Sequence, residues 1–204
     1  MSEIYALSDD ALTPPQTIFL QIDEILRCGV KLVQYRSKLA VRDEALICSL
    51  IGLCEDYGAK LIINDDAAFA KKLGAHGVHI GEGDGETAQV REFLGADKII
   101  GVSCYTGLAR AQKAEAQGAS YVAFGSLRRG KTKPDAPLCP DALVQEARKS
   151  LNLPIAVIGG INLENLDEIL ALKPDYIAMV EAIYRPASIT QNLANLKEKM
   201  DEYI

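Results

Sequence analysis

Four segments of the chain, CGVKLVQY, LGAHGVHI, QGASYVAF and LKPDYIAM, each lead the end of an amphipathic stretch directly into a short apolar run. The glycines of the first three, Gly29, Gly74 and Gly118, stand 45 and 44 residues apart, and the fourth copy begins about 55 residues later, the excess matching a long irregular segment at 127–139. Self-similarity at a fixed period marks a repeated supersecondary unit. Each copy has room for two strand–helix pairs, which makes the four apolar runs the even-numbered strands of eight. The pattern along the chain agrees, with strands expected at 4–7, 31–35, 60–63, 77–80, 99–103, 121–125, 155–158 and 176–180. Between them lie helical patterns such as 43–57, 87–94, 108–117, 141–150, 163–172 and 189–202, with Thr106 and Asn162 at N-cap positions. Near-continuous apolar strands, each followed by a helix, are those of a parallel sheet buried on both faces. The sequence therefore predicts an α/β fold, a (β/α)8 TIM barrel forming one compact domain over residues 1–204. A doubly wound open sheet is the runner-up, and would more often carry fewer strands and a glycine-rich first turn.

Composition narrows the function classes. A net charge of −6 lacks the basic face that nucleic acid or an anionic membrane surface requires, and 49% apolar content over 204 residues suffices for one sizeable core. No apolar run approaches the ~20 residues of a membrane span. The N-terminal MSEIYALSDD carries acids where a leader would be basic. Five cysteines, an odd number with no C-x-x-C, fit reduced thiols. The expectation is a cytoplasmic protein acting on small molecules, with self-association into a homo-oligomer left open.

In a barrel of this kind function gathers at the C-terminal ends of the strands. Gln34, Arg36 and Lys38 of QYRSK alternate along an extended backbone, so they can share a face. An arginine fork beside a lysine point charge suits a phosphate or diphosphate. Asp65 of IINDD and Asp84 of HIGEGD leave neighbouring strands, and two carboxylates beside phosphate-binding cations are what Mg²⁺ uses. Asp65 could equally cap a helix, a role Asp66 could share. Ser103 ends the fifth strand, where it can face a ligand or cap the next turn. His79, within GVHIG, is expected to be a hydrogen-bonded core residue. Gly159 and Gly160 of AVIGGIN permit close backbone approach, and Asn162 opens a helix whose free N–H groups favour an anion.

Taken together, these motifs make the chain similar to the thiamine-phosphate synthases, a (β/α)8 family. The resemblance spans about residues 5–183 and is carried by GVKLVQYRSK, AKLIINDDAAFAKKLGAHGVHIGEGD, IIGVSC, the TK of 132–133 and IAVIGGIN. It implies a transferase that joins hydroxymethylpyrimidine diphosphate to a thiazole phosphate and releases pyrophosphate. It implies that Gln34, Arg36 and Lys38, with Asn64 and Lys133, hold the pyrimidine diphosphate, that Asp65 and Asp84 hold Mg²⁺, and that Ser103 lies beside the pyrimidine. Arg36, Lys38, Ser103 and Lys133 would be the catalytic set. The thiazole phosphate would lie against Gly159, Gly160, Val180, Glu181 and Thr132.

The residues depart from the family pattern on the thiazole side. Where the family has T-x-T-K, this chain reads Gly130-Lys131-Thr132-Lys133, preceded by Arg128 and Arg129 in place of an aromatic residue and a proline. Glu181 stands where a serine is typical. Either Arg128 or Arg129 neutralises Glu181 next to a phosphate, or the second substrate differs. A related branch, the thiazole tautomerases, uses a histidine where this chain has Ser126. A tautomerase-like enzyme and a non-catalytic binder of a thiamine precursor or product are the alternatives.

Overall fold

The repeat is built from one backbone device. In the computed structural model, which describes residues 2–130 and 137–203, Gly29, Gly74 and Gly118 adopt φ of 82°, 74° and 86°. The three make the same two hydrogen bonds. Each glycine N–H donates to the carbonyl three residues back (Leu26, Lys71 and Glu115), and the next residue's N–H donates to the carbonyl five residues back (Ile25, Ala70 and Ala114). This is a Schellman turn, in which a left-handed residue ends the helix and turns the chain into the next element. The fourth copy puts Lys173 in the same conformation, φ 54°, with its N–H on the Leu170 carbonyl. Pro174 follows and has no N–H for the second bond.

These turns return the chain to eight parallel strands: β1 (Glu3–Leu7), β2 (Leu32–Tyr35), β3 (Lys60–Asn64), β4 (Gly77–Ile80), β5 (Ile99–Tyr105), β6 (Tyr121–Phe124), β7 (Ile155–Ile158) and β8 (Tyr176–Met179). Each pairs with the next, and β8 pairs back onto β1 with Ile4 opposite Ile177, so the sheet is a closed barrel. Closure excludes the open doubly wound sheet. The helices are α1 (Ile18–Arg27), α2 (Glu44–Asp56), α3 (Ala67–Leu73), α4 (Thr87–Leu94), α5 (Leu108–Ala116), α6 (Asp141–Ser150), α7 (Leu166–Leu170), α8 (Glu181–Tyr184) and α9 (Ile189–Glu202). The sequence pattern did not single out α1, α3 or α8, and it overran α7 at both ends. Two expected caps move: α5 is preceded by Gly107, not Thr106, and α7 by Asn165, not Asn162. No described helix is long and apolar enough to cross a membrane.

Two apolar layers follow from the alternation of side chains along each strand. Outward residues such as Val33, Ile63, Val78, Val102 and Val157 pack under the helices. Inward residues, among them Tyr5, Leu7, Leu32, Ile62, Tyr121, Ala123, Ala156 and Ala178, fill the barrel. A Cβ on Gly101 would stand 2.0 Å from Tyr121 Cζ, so the glycine on β5 makes the space that the β6 tyrosine occupies. The five cysteines are all free thiols.

Candidate active site

Of the acids and cations expected at the barrel mouth, Asp65, Asp84 and Lys38 meet beyond the ends of β2, β3 and β4. The β3–α3 turn divides its two aspartates between two tasks. Asp66 caps α3, its Oδ1 accepting from the Phe69 N–H at 2.8 Å, and its Oδ2 takes a 2.7 Å ion pair from Arg42. Asp65 is thereby released from capping. Its backbone turns left-handed (φ 67°), a conformation that Asp tolerates better than most residues, and its carboxylate receives Lys38 Nζ at 2.7 Å. Lys38 and Asp65 side chains are 62% and 37% exposed, so this is a solvent-screened pair that a ligand can open at little cost.

Asp84 reaches the same place from the β4–α4 turn, where the Gly81 N–H donates to its Oδ2 at 2.7 Å. Its carboxyl is held above the usual range, first by burial and then, against the pull of the Gly81 N–H, by the Asp65 carboxylate facing it within hydrogen-bonding reach. Lys38, Arg42, Asn64, Asp65, Asp66 and Asp84 line one cleft of about 560 Å³. No group of three or more His, Cys, Asp or Glu side chains among the described residues converges on a metal position. Two facing carboxylates are the donors this cleft offers, a set that Mg²⁺ can use when ligand oxygens and water complete it. Arg36 is half-buried at the end of β2, where its backbone exchanges hydrogen bonds with the Ser8 hydroxyl at 2.8 and 3.0 Å.

Gln34 does not join Arg36 and Lys38 at the rim. It lies inside the barrel, 2% exposed, and its Nε2 donates to Tyr5 Oη at 2.8 Å. From there a line of 2.8 Å contacts crosses the core: Tyr5 Oη to Tyr121 Oη, Tyr121 Oη to His79 Nδ1, and His79 Nε2 to Ser103 Oγ. His79 is thus the hydrogen-bonded core residue expected, with its ring stacked on Tyr121 at 5.6 Å. Ser103 faces this line while its carbonyl accepts from Arg110 Nε at 2.7 Å, so it does not cap the next turn with its side chain. Tyr5 and Tyr121 were not among the residues the sequence singled out. The available signal was a tyrosine at an inward position opposite a glycine on the neighbouring strand.

The opposite side of the mouth is organised by the chain after β6. Leu127 and Arg128 donate backbone N–H groups to Ile158 and Gly159, extending the pairing of β6 with β7. A Cβ on Gly160 would stand 2.6 Å from the Arg128 and Arg129 carbonyl oxygens. The close approach allowed by the glycine pair is therefore made by this loop. Arg128 turns outward, donating to both carboxylate oxygens of Asp141 at 2.8 and 2.9 Å and to Glu168 at 2.9 Å. That arrangement ties the loop to α6 and α7 and leaves Arg128 unavailable to Glu181, the first residue of α8 after Val180. The expectation that Asn162 opens an anion-binding helix end is also corrected. Its Oδ1 accepts from the Glu164 and Asn165 N–H groups, and Asn165 Oδ1 takes the Asn162 N–H. The Ser126 hydroxyl donates to the Arg128 carbonyl at 2.7 Å. Thr132 and Lys133 lie outside the described residues.

A closed parallel barrel whose mouth carries paired carboxylates, a lysine and an arginine defines a class of protein that handles phosphorylated small molecules at its C-terminal face. Comparison with known proteins narrows the class. Residues 4–183 match the family model described as thiamine monophosphate synthase, and the chain belongs to that family. It is 43% identical over 188 residues to the thiamine-phosphate synthase of Nitrosococcus oceani, covering 91% of this chain and 87% of that one. With the thiamine-phosphate synthase of Thioalkalivibrio sulfidiphilus it shares 40% over 183 residues, 89% and 87% of the two chains. Among solved structures, the thiamine phosphate pyrophosphorylase of Pyrococcus furiosus superposes with a TM-score of 0.87 at 28% identity, covering 99% of this chain and 96% of that one.

Proposed function

We propose that this protein is a thiamine-phosphate synthase that uses Mg²⁺. It would transfer the pyrimidinylmethyl group of hydroxymethylpyrimidine diphosphate to the ring nitrogen of a thiazole phosphate. The methylene C–O bond breaks with its electron pair leaving on pyrophosphate, the aminopyrimidine delocalises the resulting cation, and the thiazole nitrogen supplies the pair for the new C–N bond. Such a reaction needs no strong base. It needs negative charge stabilised on the leaving group and the two rings held in contact.

The observation that carries this reading is the Asp65–Asp84 carboxylate pair beside Lys38, where burial first and the facing Asp65 carboxylate after it hold the Asp84 carboxyl above its usual range. Mg²⁺ held there would neutralise diphosphate charge. Lys38 can exchange Asp65 for a phosphate oxygen, with Arg36 and Lys133 assigned to the same diphosphate by the family motif. Gln34 and Ser103 face the interior from either end of the buried line, suiting them to a ring rather than to phosphate. Asn64 ends β3 between these two groups. Gly159, Gly160, Val180 and Glu181, with Thr132, would form the thiazole side. Because Arg128 is engaged by Asp141 and Glu168, its charge fixes the loop and leaves phosphate binding to others.

Purified protein given both substrates and Mg²⁺ should form thiamine phosphate, and Asp65→Ala should lower kcat/KM by about 10²-fold or more while leaving the barrel folded. Absence of product from the unmodified protein overturns the assignment, and activity indifferent to Mg²⁺ overturns the metal. No observation favours a tautomerase-like reaction, since the residue at the tautomerase histidine position, Ser126, has its hydroxyl proton on a backbone carbonyl.

A further inference from the structure

The line of contacts across the barrel core has a direction. Gln34 Nε2 is a donor only, so Tyr5 Oη accepts from it. If Tyr121 also donated to Tyr5, the Tyr5 hydroxyl proton would be left without an acceptor in a site 1% exposed. Tyr5 therefore donates to Tyr121, and Tyr121, 2% exposed, donates onward to His79 Nδ1. A neutral imidazole that accepts at Nδ1 carries its proton on Nε2, and that proton points at Ser103 Oγ, 2.8 Å away. Ser103 then accepts from the core and has its own proton left over. In strand register His79 is level with Asn64 and Gly101, and Ser103 lies two residues nearer the mouth, half-buried.

We infer that Gln34, Tyr5, Tyr121 and His79 form a one-way hydrogen-bond chain that holds His79 as the Nε2–H tautomer and presents the Ser103 hydroxyl as a donor to the barrel mouth. The ligand atom met there is one with a lone pair and no hydrogen, such as a ring nitrogen of an aminopyrimidine. In this respect the inference rests on the proposed function, whereas the chain itself does not. Tyr5, Tyr121 and His79 are positioning residues that act through Ser103. Burial supports the arrangement by keeping Tyr5, Tyr121 and His79, each less than a tenth exposed, away from water that would interrupt the line. The reverse chain is also chemically complete if the Gln34 amide is turned. It would put the proton on Nδ1, make Ser103 donate into the core, and select a ligand N–H instead.

Nitrogen NMR of ¹⁵N-histidine-labelled, ligand-free protein at pH 7 separates the two, with a His76→Gln variant identifying the His79 signals among the two histidines. The expected result is an Nε2-protonated His79; an Nδ1-protonated ring overturns the chain. Tyr5→Phe keeps the ring and cuts the chain between Gln34 and Tyr121. It should convert the single tautomer to a mixture and weaken pyrimidine diphosphate binding by about threefold to tenfold. An unchanged tautomer in a folded Tyr5→Phe protein overturns the role of Gln34 in setting direction. Should that variant not fold, the spectrum of the unmodified protein decides alone. The tautomer is read without substrate, so a protein that makes no thiamine phosphate still reports on the chain, and an active protein with Nδ1–H loses only this inference.

Discussion

His79 shows most directly how burial in this barrel sets the chemistry of a side chain. Desolvation of the imidazolium dominates the attraction of the Asp65 carboxylate, and the folded-state pKa falls from 6.5 to about 4. The unfolded chain takes up a proton near pH 6.5 while the folded chain refuses it. Stability associated with this residue is therefore intact above about pH 6.5 and is lost progressively as the pH falls toward 4, by about 3 kcal/mol in total. Carboxylates also titrate at the acid end of that window, so the comparison must be made against a variant. Urea unfolding at pH 7, 5.5 and 4 should show a steeper loss for the unmodified protein than for His79→Gln; parallel profiles would show that the imidazole is not held neutral by the fold. The contrast with Asp84 is instructive. There burial and the neighbouring carboxylate act in the same direction, so the folded protein holds a carboxyl that is harder to ionise than in water. The core excludes charge from one group; burial and a like charge make the other harder to ionise.

At the scale of elements, the helix-to-strand turns decide where each even-numbered strand begins. Three of the four use glycine at the left-handed position, and the fourth uses Lys173 at φ 54° followed by Pro174. An L-residue with a Cβ pays roughly 1–2 kcal/mol in that region, offset in part by the lower unfolded-state entropy of lysine relative to glycine. Lys173→Gly should therefore stabilise the protein by about 0.5–1 kcal/mol in urea unfolding without altering activity, and a loss of stability would mean that the lysine side chain contributes more than its backbone costs. The same comparison shows what the sequence could and could not convey. Gly29, Gly74 and Gly118 advertised the repeat because glycine is the residue this backbone prefers, and strand positions followed within a residue or two. Asp65, Asp84 and Lys38 were legible as a cluster because each follows a predicted strand by a few residues, which fixes its position at the mouth. The start of helix α7 was not, because Asn162 and Asn165 make a capped turn of side-chain hydrogen bonds that looks, in sequence, like a helix start. Gln34 was misplaced for a related reason. Alternation assigned it the same strand face as Arg36 and Lys38, but the strand ends at Tyr35, so its alternation does not extend to either cation.

At the scale of the whole molecule, the barrel is filled asymmetrically, and this determines what its interior can do. An all-aliphatic filling would leave Ser103 and Gln34 without buried partners. Here Tyr5, Tyr121 and Tyr176 meet edge to face, with ring centroids 5.8 to 6.4 Å apart, and two of them also bring hydroxyls to the line that reaches the mouth. The arrangement depends on a missing side chain on β5, because a Cβ on Gly101 would clash with Tyr121 Cζ at 2.0 Å. Gly101 has an ordinary backbone conformation, so the constraint is space and not φ, and it belongs to the pair rather than to either residue. Gly101→Ala should then destabilise the protein by about 3 kcal/mol or more, at the upper end of overpacking costs, since a closed barrel cannot shift one strand without moving its neighbours. Tyr121→Leu alone should also destabilise, through lost packing and a broken hydrogen-bond line. The double variant is the informative one. If the clash sets the cost, Gly101→Ala should be much cheaper in the Tyr121→Leu background, giving a coupling of about 1–3 kcal/mol in a thermodynamic cycle. Additive effects would mean that β5 moves aside for a methyl group, and that the tyrosine ring is held by something other than the space the glycine provides.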